Sequence, residues 1–518
     1  MTQRALGKML VGSIIVTAAA RAPNKVAFYC AGTGRRFTFR QVNERCNRLA
    51  NMLERLGLAK GDVVAFLCSN RAEMPEIYFA LAKCGIVGIP LNYRLAPTEM
   101  AELMRAMGAR VLIYEARFEA CALHVQGHTS DLRFNVVIGA SAARPDFEYE
   151  ALLAEGEADE PRTVIDEADA YYFNLTSGTT GLPKSYSLTQ FNNSSAALFG
   201  MVLEMNRKDV VLTAFPVFGR VGVAWLLTSV VYGIPNVLTN FEPAQVLRLI
   251  QQERVTIFNV VPTMAAMLLA SDQLPATDLS SLRAIVFAGS PLPASIREQT
   301  KAQLCSSIYE YYGMQETGVL AYSTPEDREL RPDSVGRAAL FSEMRIVDPG
   351  GRDVAVGEVG EIIGRSPATV TSYFQNPEKS AETFRDGWVH TGDLGSMDAD
   401  GFLFIRGREK DMIITGGQNV HAAEVEELLL RHDAVADCAV IGLPHELWGE
   451  QVVAVVVTKL SACTDAEALQ AYCRMQLAGF KTPKKWHFQT DPLPRTVTGK
   501  VQKFILVEKY GQERSDAT

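Results

Sequence analysis

"TSGTTGLPKS", Thr176 to Ser185, lies between the apolar run Tyr171-Tyr172-Phe173-Asn174-Leu175 and a polar stretch. Its two glycines, its hydroxyl residues and Pro183-Lys184 make a poor helix and a poor central strand. Glycine lets backbone N–H groups approach an anion, Ser and Thr hydroxyls add donors that reorient, and Lys184 adds positive charge. A polyphosphate is the ligand this chemistry suits. A flexible linker shares the composition, but linkers rarely follow directly on a buried-strand pattern or end in Pro-Lys. The loop is not a Walker A motif, because Gly178, Gly181 and Lys184 are spaced differently from G-x-x-x-x-G-K-[ST].

On its N-terminal side, helical and strand patterns alternate. "FTFRQVNERCNRLANMLERLG" has apolar residues at helical spacing and stops at Gly57. "DVVAFLC" reads as a buried strand, "AEMPEIYFALAKCG" as a helix and "IVGIPL" as a strand. Further strands are expected at "VVLTAF", "TIFNVV" and "AIVFAG". That order predicts an α/β fold with parallel sheets covered by helices. From Val356 onward, "VGEVGEIIGRS" and "GFLFIRGR" read as a small antiparallel β element, and a compact α+β pattern follows Arg408. The expected division is a large N-terminal domain, 1–407, and a small mobile C-terminal domain, 408–518, with a hinge near Lys410.

With 518 residues, 47% hydrophobic and 21% charged, the chain is long enough for two domains. A net charge of −8 and no long basic block argue against nucleic acid as a partner. Nine cysteines without paired spacing fit a reducing compartment. His124 and His128 form an H-x-x-x-H behind Cys121, read as a helix face or surface loop rather than a zinc site. The run from Met9 to Ala20 has the look of a signal peptide, yet is read as an amphipathic first helix ended by Arg21-Ala22-Pro23. Nothing else offers a membrane span, and a cytoplasmic location is expected.

"TSGTTGLPK" resembles the phosphate loop of the adenylate-forming superfamily, which includes acyl-CoA synthetases, the adenylation domains of peptide synthetases and firefly luciferase. Further segments match in the family's order: "VPTM" (Val261 to Met264), "YYGMQETG" (Tyr311 to Gly318), "DGWVHTGDL" (Asp386 to Leu394), "GREKDMIITGGQNVHAAEVEE" (Gly407 to Glu427) and "LPRTVTGKVQK" (Leu493 to Lys503). The resemblance covers nearly the whole chain. It implies an AMP-forming acid–thiol ligase with ATP, Mg²⁺ and CoA as cofactors and a small carboxylic acid as substrate. A homodimer is left open by it, as are a carrier protein in place of CoA, a weakly active binding protein and a luciferase-like oxygenase.

By that resemblance Thr176, Ser177, Gly178, Thr179, Thr180, Gly181 and Lys184 wrap the β- and γ-phosphates, and Thr176 and Glu316 hold Mg²⁺. Tyr312 stacks on adenine opposite Gly289-Ser290-Pro291, with Gly313, Met314 and Gln315 beside it. Asp393 and Arg408 reach the ribose, and Lys500 bridges the acyl carboxylate and the α-phosphate. Lys410 is the hinge, and Gly416 and Gly417 line a channel for the pantetheine arm. Phe218, Gly219, Val221 and Ala288 are expected to wall the acyl pocket.

The chain departs from the family pattern at four of these positions. Ser185 stands where glycine is usual, Gln190 where histidine is, and Gln315 where threonine precedes the metal-binding acid. In "FPVFGRVGVAW" Gly219 replaces a common histidine, which should leave room in the pocket, and Arg220 beside it is a candidate for an anionic group on the substrate. The mostly apolar or small pocket residues point to a hydrophobic acyl group, fatty or aromatic.

Overall fold

The computed structural model describes residues 8–143, 145–175, 185–416, 418–445, 447–459, 464–495 and 499–511. Six strands and a helix frame the site: β1 (Ala170–Leu175), β2 (Ser185–Thr189), α1 (Arg220–Tyr232), β3 (Ile308–Met314), β4 (Gly318–Ser323), β5 (Trp388–Met397) and β6 (Leu403–Arg408).

The described residues form four sheets. In the nine-stranded sheet, Val26–Cys30, Asn236–Leu238, Val211–Thr213, Ile257–Val260, Ala284–Phe287 and β3 run parallel. β4 turns back on β3 antiparallel. The seven-stranded sheet places β1 parallel to Val87–Pro90 and closes at one edge with antiparallel β2. Strands such as Val63–Leu67 and Ala284–Phe287 are buried throughout, as expected where helices cover both faces of a parallel sheet. The expected small β element is a five-stranded antiparallel sheet from Glu343–Val347 to β6, and a fourth, mixed sheet begins at Met412–Thr415 with helices Ala422–Leu430, Ala466–Gln476 and Lys503–Gly511.

Two details refine the sequence reading. The helix expected from Phe37 starts at Phe39, because Thr38 caps it: its hydroxyl accepts from the Gln41 N–H, and the Gln41 side chain accepts from the Thr38 N–H. Arg36–Thr38 is instead a short edge strand. The Met9-to-Ala20 run folds as a helix, Val11–Arg21, with Val11, Ile15 and Ala18 in the main hydrophobic core. Gln190, the residue in the family's histidine position, is fully buried. It accepts from the Val11 N–H at 3.0 Å and donates to the Ala82 carbonyl, tying this helix to the domain. No described helix is long and apolar enough to cross a membrane.

Candidate active site

Ligands of open α/β sheets gather at the carboxyl ends of parallel strands. Here the ends of β1, β3 and Ala284–Phe287 open onto one cleft of about 2390 Å³, closed on its far side by the C-terminal part. Leu175 and Ser185 pair across β1 and β2, so the quoted loop joins these strand ends. Its residues Thr176, Ser177, Gly178, Thr179, Thr180, Gly181 and Lys184 lie outside the described residues, as does Gly417.

β3 and β4 form a tight hairpin. A Cβ on Gly313 would stand 1.9 Å from the Gly318 carbonyl oxygen, so only glycine permits the turn that carries Met314, Gln315 and Glu316 into the cleft. Glu316 is 5% exposed; Tyr373 donates to its Oε1 at 2.7 Å, and Val370 N–H to its carbonyl at 2.9 Å. Burial, and then the Glu316 charge, hold the Tyr373 phenol above its ordinary range, so it remains a donor. Gln315 turns its Oε1 to Asn174 Nδ2 at 2.7 Å, while its backbone carbonyl accepts from Tyr186 at 2.8 Å.

The β5–β6 pairing places Asp393 opposite Arg408. Arg408 Nε lies 3.0 Å from Asp393 Oδ1, and the Tyr312 hydroxyl donates to Oδ2 at 2.8 Å. Burial, followed by the adjacent Asp393, raises the Tyr312 phenol well above its usual range. Thr391 and Glu361 shape the bend before Asp393: Asp393 N–H donates to Thr391 Oγ1 at 3.0 Å and Gly392 N–H to Glu361 Oε1 at 3.1 Å. Gly289, Ser290 and Pro291 line the same cleft beyond Ala288.

From the C-terminal part comes Lys500. Arg495 braces its loop, donating to the Gly499 carbonyl at 2.5 Å and to Asp437 at 2.7 Å, and Arg495 and Val501 are bridge partners. A Cβ on Gly499 would sit 3.1 Å from Thr263 Oγ1, which puts the loop against the "VPTM" segment. Lys500 is exposed to the solvent of the cleft, but walls of both parts crowd it. That enclosure, and then Arg408, hold its ammonium below the ordinary lysine range, against the pull of Asp393 and Glu316. Lys410 lies in the short turn Glu409–Asp411 between β6 and Met412, and also faces the cleft. Gly416 does not line it: its N–H donates to the Trp448 carbonyl at 2.8 Å, its φ is 56°, and a Cβ there would meet the Trp448 ring at 2.9 Å.

Phe218, Gly219, Val221 and Ala288 line the cleft as expected, and a deeper slot extends from them. One wall is a stripe of α1, Val221, Ala224, Trp225 and Thr228, at helical spacing. The other is Leu198, Phe199 and Val202. Gly200 lets this second wall pack closely on the end of α1, since a Cβ there would meet the Tyr232 ring at 2.4 Å. Gly219 has an ordinary φ of −98°, and a Cβ would meet only the Pro216 carbonyl, at 3.5 Å. Its lack of a side chain is therefore open space rather than a backbone requirement. Arg220 also lines the cleft, but at 7% exposure its guanidinium donates to the carbonyls of Gln315 and Ala368.

Motif reading missed Tyr373, Tyr186, Asn174, Thr391 and Glu361, and, in the slot, Leu198, Phe199, Val202 and Thr228; the wall from Phe218 to Trp225 lies where the pocket was expected. Thr391 alone carried a signal, sitting inside "HTGDL".

Residues 15–374 match the AMP-binding enzyme family and residues 424–500 the AMP-binding enzyme C-terminal domain. A feruloyl-CoA synthase from Amycolatopsis is 34% identical over 507 residues, covering 97% of this chain and 99% of the relative. A long-chain-fatty-acid–CoA ligase of Mycobacterium tuberculosis is 31% identical over 504 residues, covering 96% and 98%. Among solved structures, the anthranilate CoA ligase AuaEII in complex with anthranoyl-AMP superposes with a TM-score of 0.90 at 30% identity, covering 98% of each chain. With both family models matched in order and relatives aligned over 97% of its length, the chain belongs to the adenylate-forming superfamily of AMP-binding enzymes.

Proposed function

We propose that this protein is an acyl-CoA synthetase that joins an apolar carboxylic acid to CoA through an acyl-adenylate. The observation that carries this reading is the meeting of Lys500, from the C-terminal part, with Asp393 and Glu316 in one cleft. In the first half-reaction a carboxylate oxygen of the acid attacks the α-phosphorus of ATP, and the P–O bond to pyrophosphate breaks. Two anions must reach bonding distance, and the Lys500 ammonium offsets their repulsion. Asp393, steadied by Tyr312 and Arg408, retains acceptor sites for the ribose hydroxyls. Gln315, with its carboxamide oxygen held by Asn174, presents its amino end as a phosphate donor. In the second half-reaction the CoA thiolate attacks the acyl carbon and AMP leaves.

Magnesium keeps most of its ligands as water and phosphate oxygens, so one or two protein oxygens suffice. The buried Glu316 carboxylate lining the cleft suits this, with the Thr176 hydroxyl as the second donor proposed. The ion would supply charge neutralisation at the phosphates.

The hinge of this reading falls at Lys410, between the end of β6 at Arg408 and the strand that starts at Met412. Rotation there would withdraw Lys500 and bring Gly416 to the cleft for the pantetheine arm, a hinge motion concentrated in few residues.

The slot supports the substrate class. From Val221 to Thr228 it extends about 10 Å along α1. Its walls, Leu198, Phe199, Val202, Val221, Ala224, Trp225 and Thr228, carry no carboxylate that would hold the ammonium of an amino acid. The relatives named for ferulate, anthranilate and long-chain fatty acids handle aryl or alkyl acids, which agrees with an apolar slot. Pyrophosphate release across a panel of aryl and alkyl acids, with and without CoA, tests the proposal. Release with apolar acids, and thioester formed only with CoA, is expected; preference for amino acids contradicts it.

Gly219→His should fill the space at the slot mouth. We expect kcat/KM to fall more for the bulkiest accepted acids than for acetate or propionate, by about tenfold for a loss of one pocket-sized contact. Equal loss at every size in a competition assay contradicts the role of Gly219.

A further inference from the structure

We propose that Arg220 is a positioning residue that locks the acyl-pocket helix to the loop carrying Glu316. It is the first residue of α1, where the helix dipole disfavours a cation, and it is buried. Among the described residues no carboxylate pairs with it, and its hydrogen bonds go to two backbone carbonyls. A charge is retained in so unfavourable a place only where its bonds are strong, and bonds from a guanidinium exceed those from a neutral donor.

The carbonyls belong to segments that meet at Glu316. One, Gln315, directly precedes it. The other, Ala368, lies in the segment whose Val370 N–H binds the Glu316 carbonyl and whose Ser366 hydroxyl binds the Thr317 carbonyl. Arg220 therefore ties the Glu316 turn to the segment packed against it, from the mouth of the acyl slot. The planar fork presents two separate nitrogens to two acceptors in a fixed, preorganised geometry, whereas an ammonium's three donors all radiate from one rotatable nitrogen. Through this bridge the start of the acyl slot and the acid proposed for magnesium share one support. The inference rests on that reading of Glu316, and extends it to a residue whose hydrogen bonds are to the protein backbone.

The test is calorimetric binding of an ATP analogue with a methylene group between its α- and β-phosphorus atoms, measured with Mg²⁺ and with EDTA. No acid is needed, so the outcome is separate from the pyrophosphate assay. Arg220→Met should weaken binding in Mg²⁺ about tenfold, the scale of one charged hydrogen bond. With EDTA its affinity should stay within twofold of the parent protein. Arg220→Lys, which keeps the charge but not the fork, should fall between the two. Should Arg220→Met fail to fold, Arg220→Lys carries the comparison, with a magnesium-specific weakening still required. Parent-like Mg²⁺ affinity overturns the proposal, and so does equal weakening with and without Mg²⁺, which marks a general packing defect.

Discussion

Lys500→Ala should lose nearly all acyl-adenylate formation from ATP and acid, by roughly 10²–10³-fold, the value of one preorganised charged donor. Given preformed acyl-adenylate and CoA, the same variant should still make thioester at close to the parent rate. The asymmetry follows from where Lys500 stands: on a braced loop against Thr263, beside Asp393 and Glu316, where the first half-reaction gathers charge. A pH signature goes with it. The free enzyme needs Lys500 protonated, and its ammonium is held below the ordinary 10.5 by enclosure and by Arg408. Adenylation kcat/KM should thus fall with rising pH through an alkaline limb below 10.5. Lys500→Arg, slower but protonated throughout, should shift that limb upward. A limb at the same pH in both proteins assigns it to another group.

Lys410→Pro should give the opposite split. Proline fixes its own φ and restricts the residue before it, in the short exposed turn Glu409–Asp411 proposed as the hinge. The variant should release pyrophosphate in a first turnover and then stall with adenylate bound, its thioester rate reduced by at least about tenfold if rotation becomes limiting. Rapid-quench measurement of both products reads this directly. If Lys500→Ala and Lys410→Pro each lose both half-reactions equally, the two-conformation mechanism does not apply to this protein.

The architecture was legible because its strands are buried on both faces and its helices are amphipathic, so period and turn residues mark them. Boundaries were harder: Phe37 continues the apolar pattern of the following helix, and only the Thr38 cap assigns it to a strand. Residues that line the cleft were legible where one continuous motif carries them, as with Tyr312 and Glu316 on one hairpin, or Arg408 at the end of β6 and Lys410 in the turn after it. Their supports were not, because Asn174, Tyr186 and Tyr373 reach the Gln315–Glu316 turn from remote parts of the chain. Arg220 shows the limit most clearly. Its position beside Gly219 suggests the substrate, and only the fold turns its guanidinium toward Gln315 and Ala368.

The central claim is an acyl-adenylate on the path to a thioester. With ATP, Mg²⁺ and the preferred acid but no CoA, quenched samples analysed by mass spectrometry should contain about one acyl-adenylate per active site, with matching pyrophosphate. Adding CoA should convert it to acyl-CoA and AMP within the steady-state turnover time. Formation of ADP and phosphate instead, or pyrophosphate release that does not depend on the acid, would contradict the account.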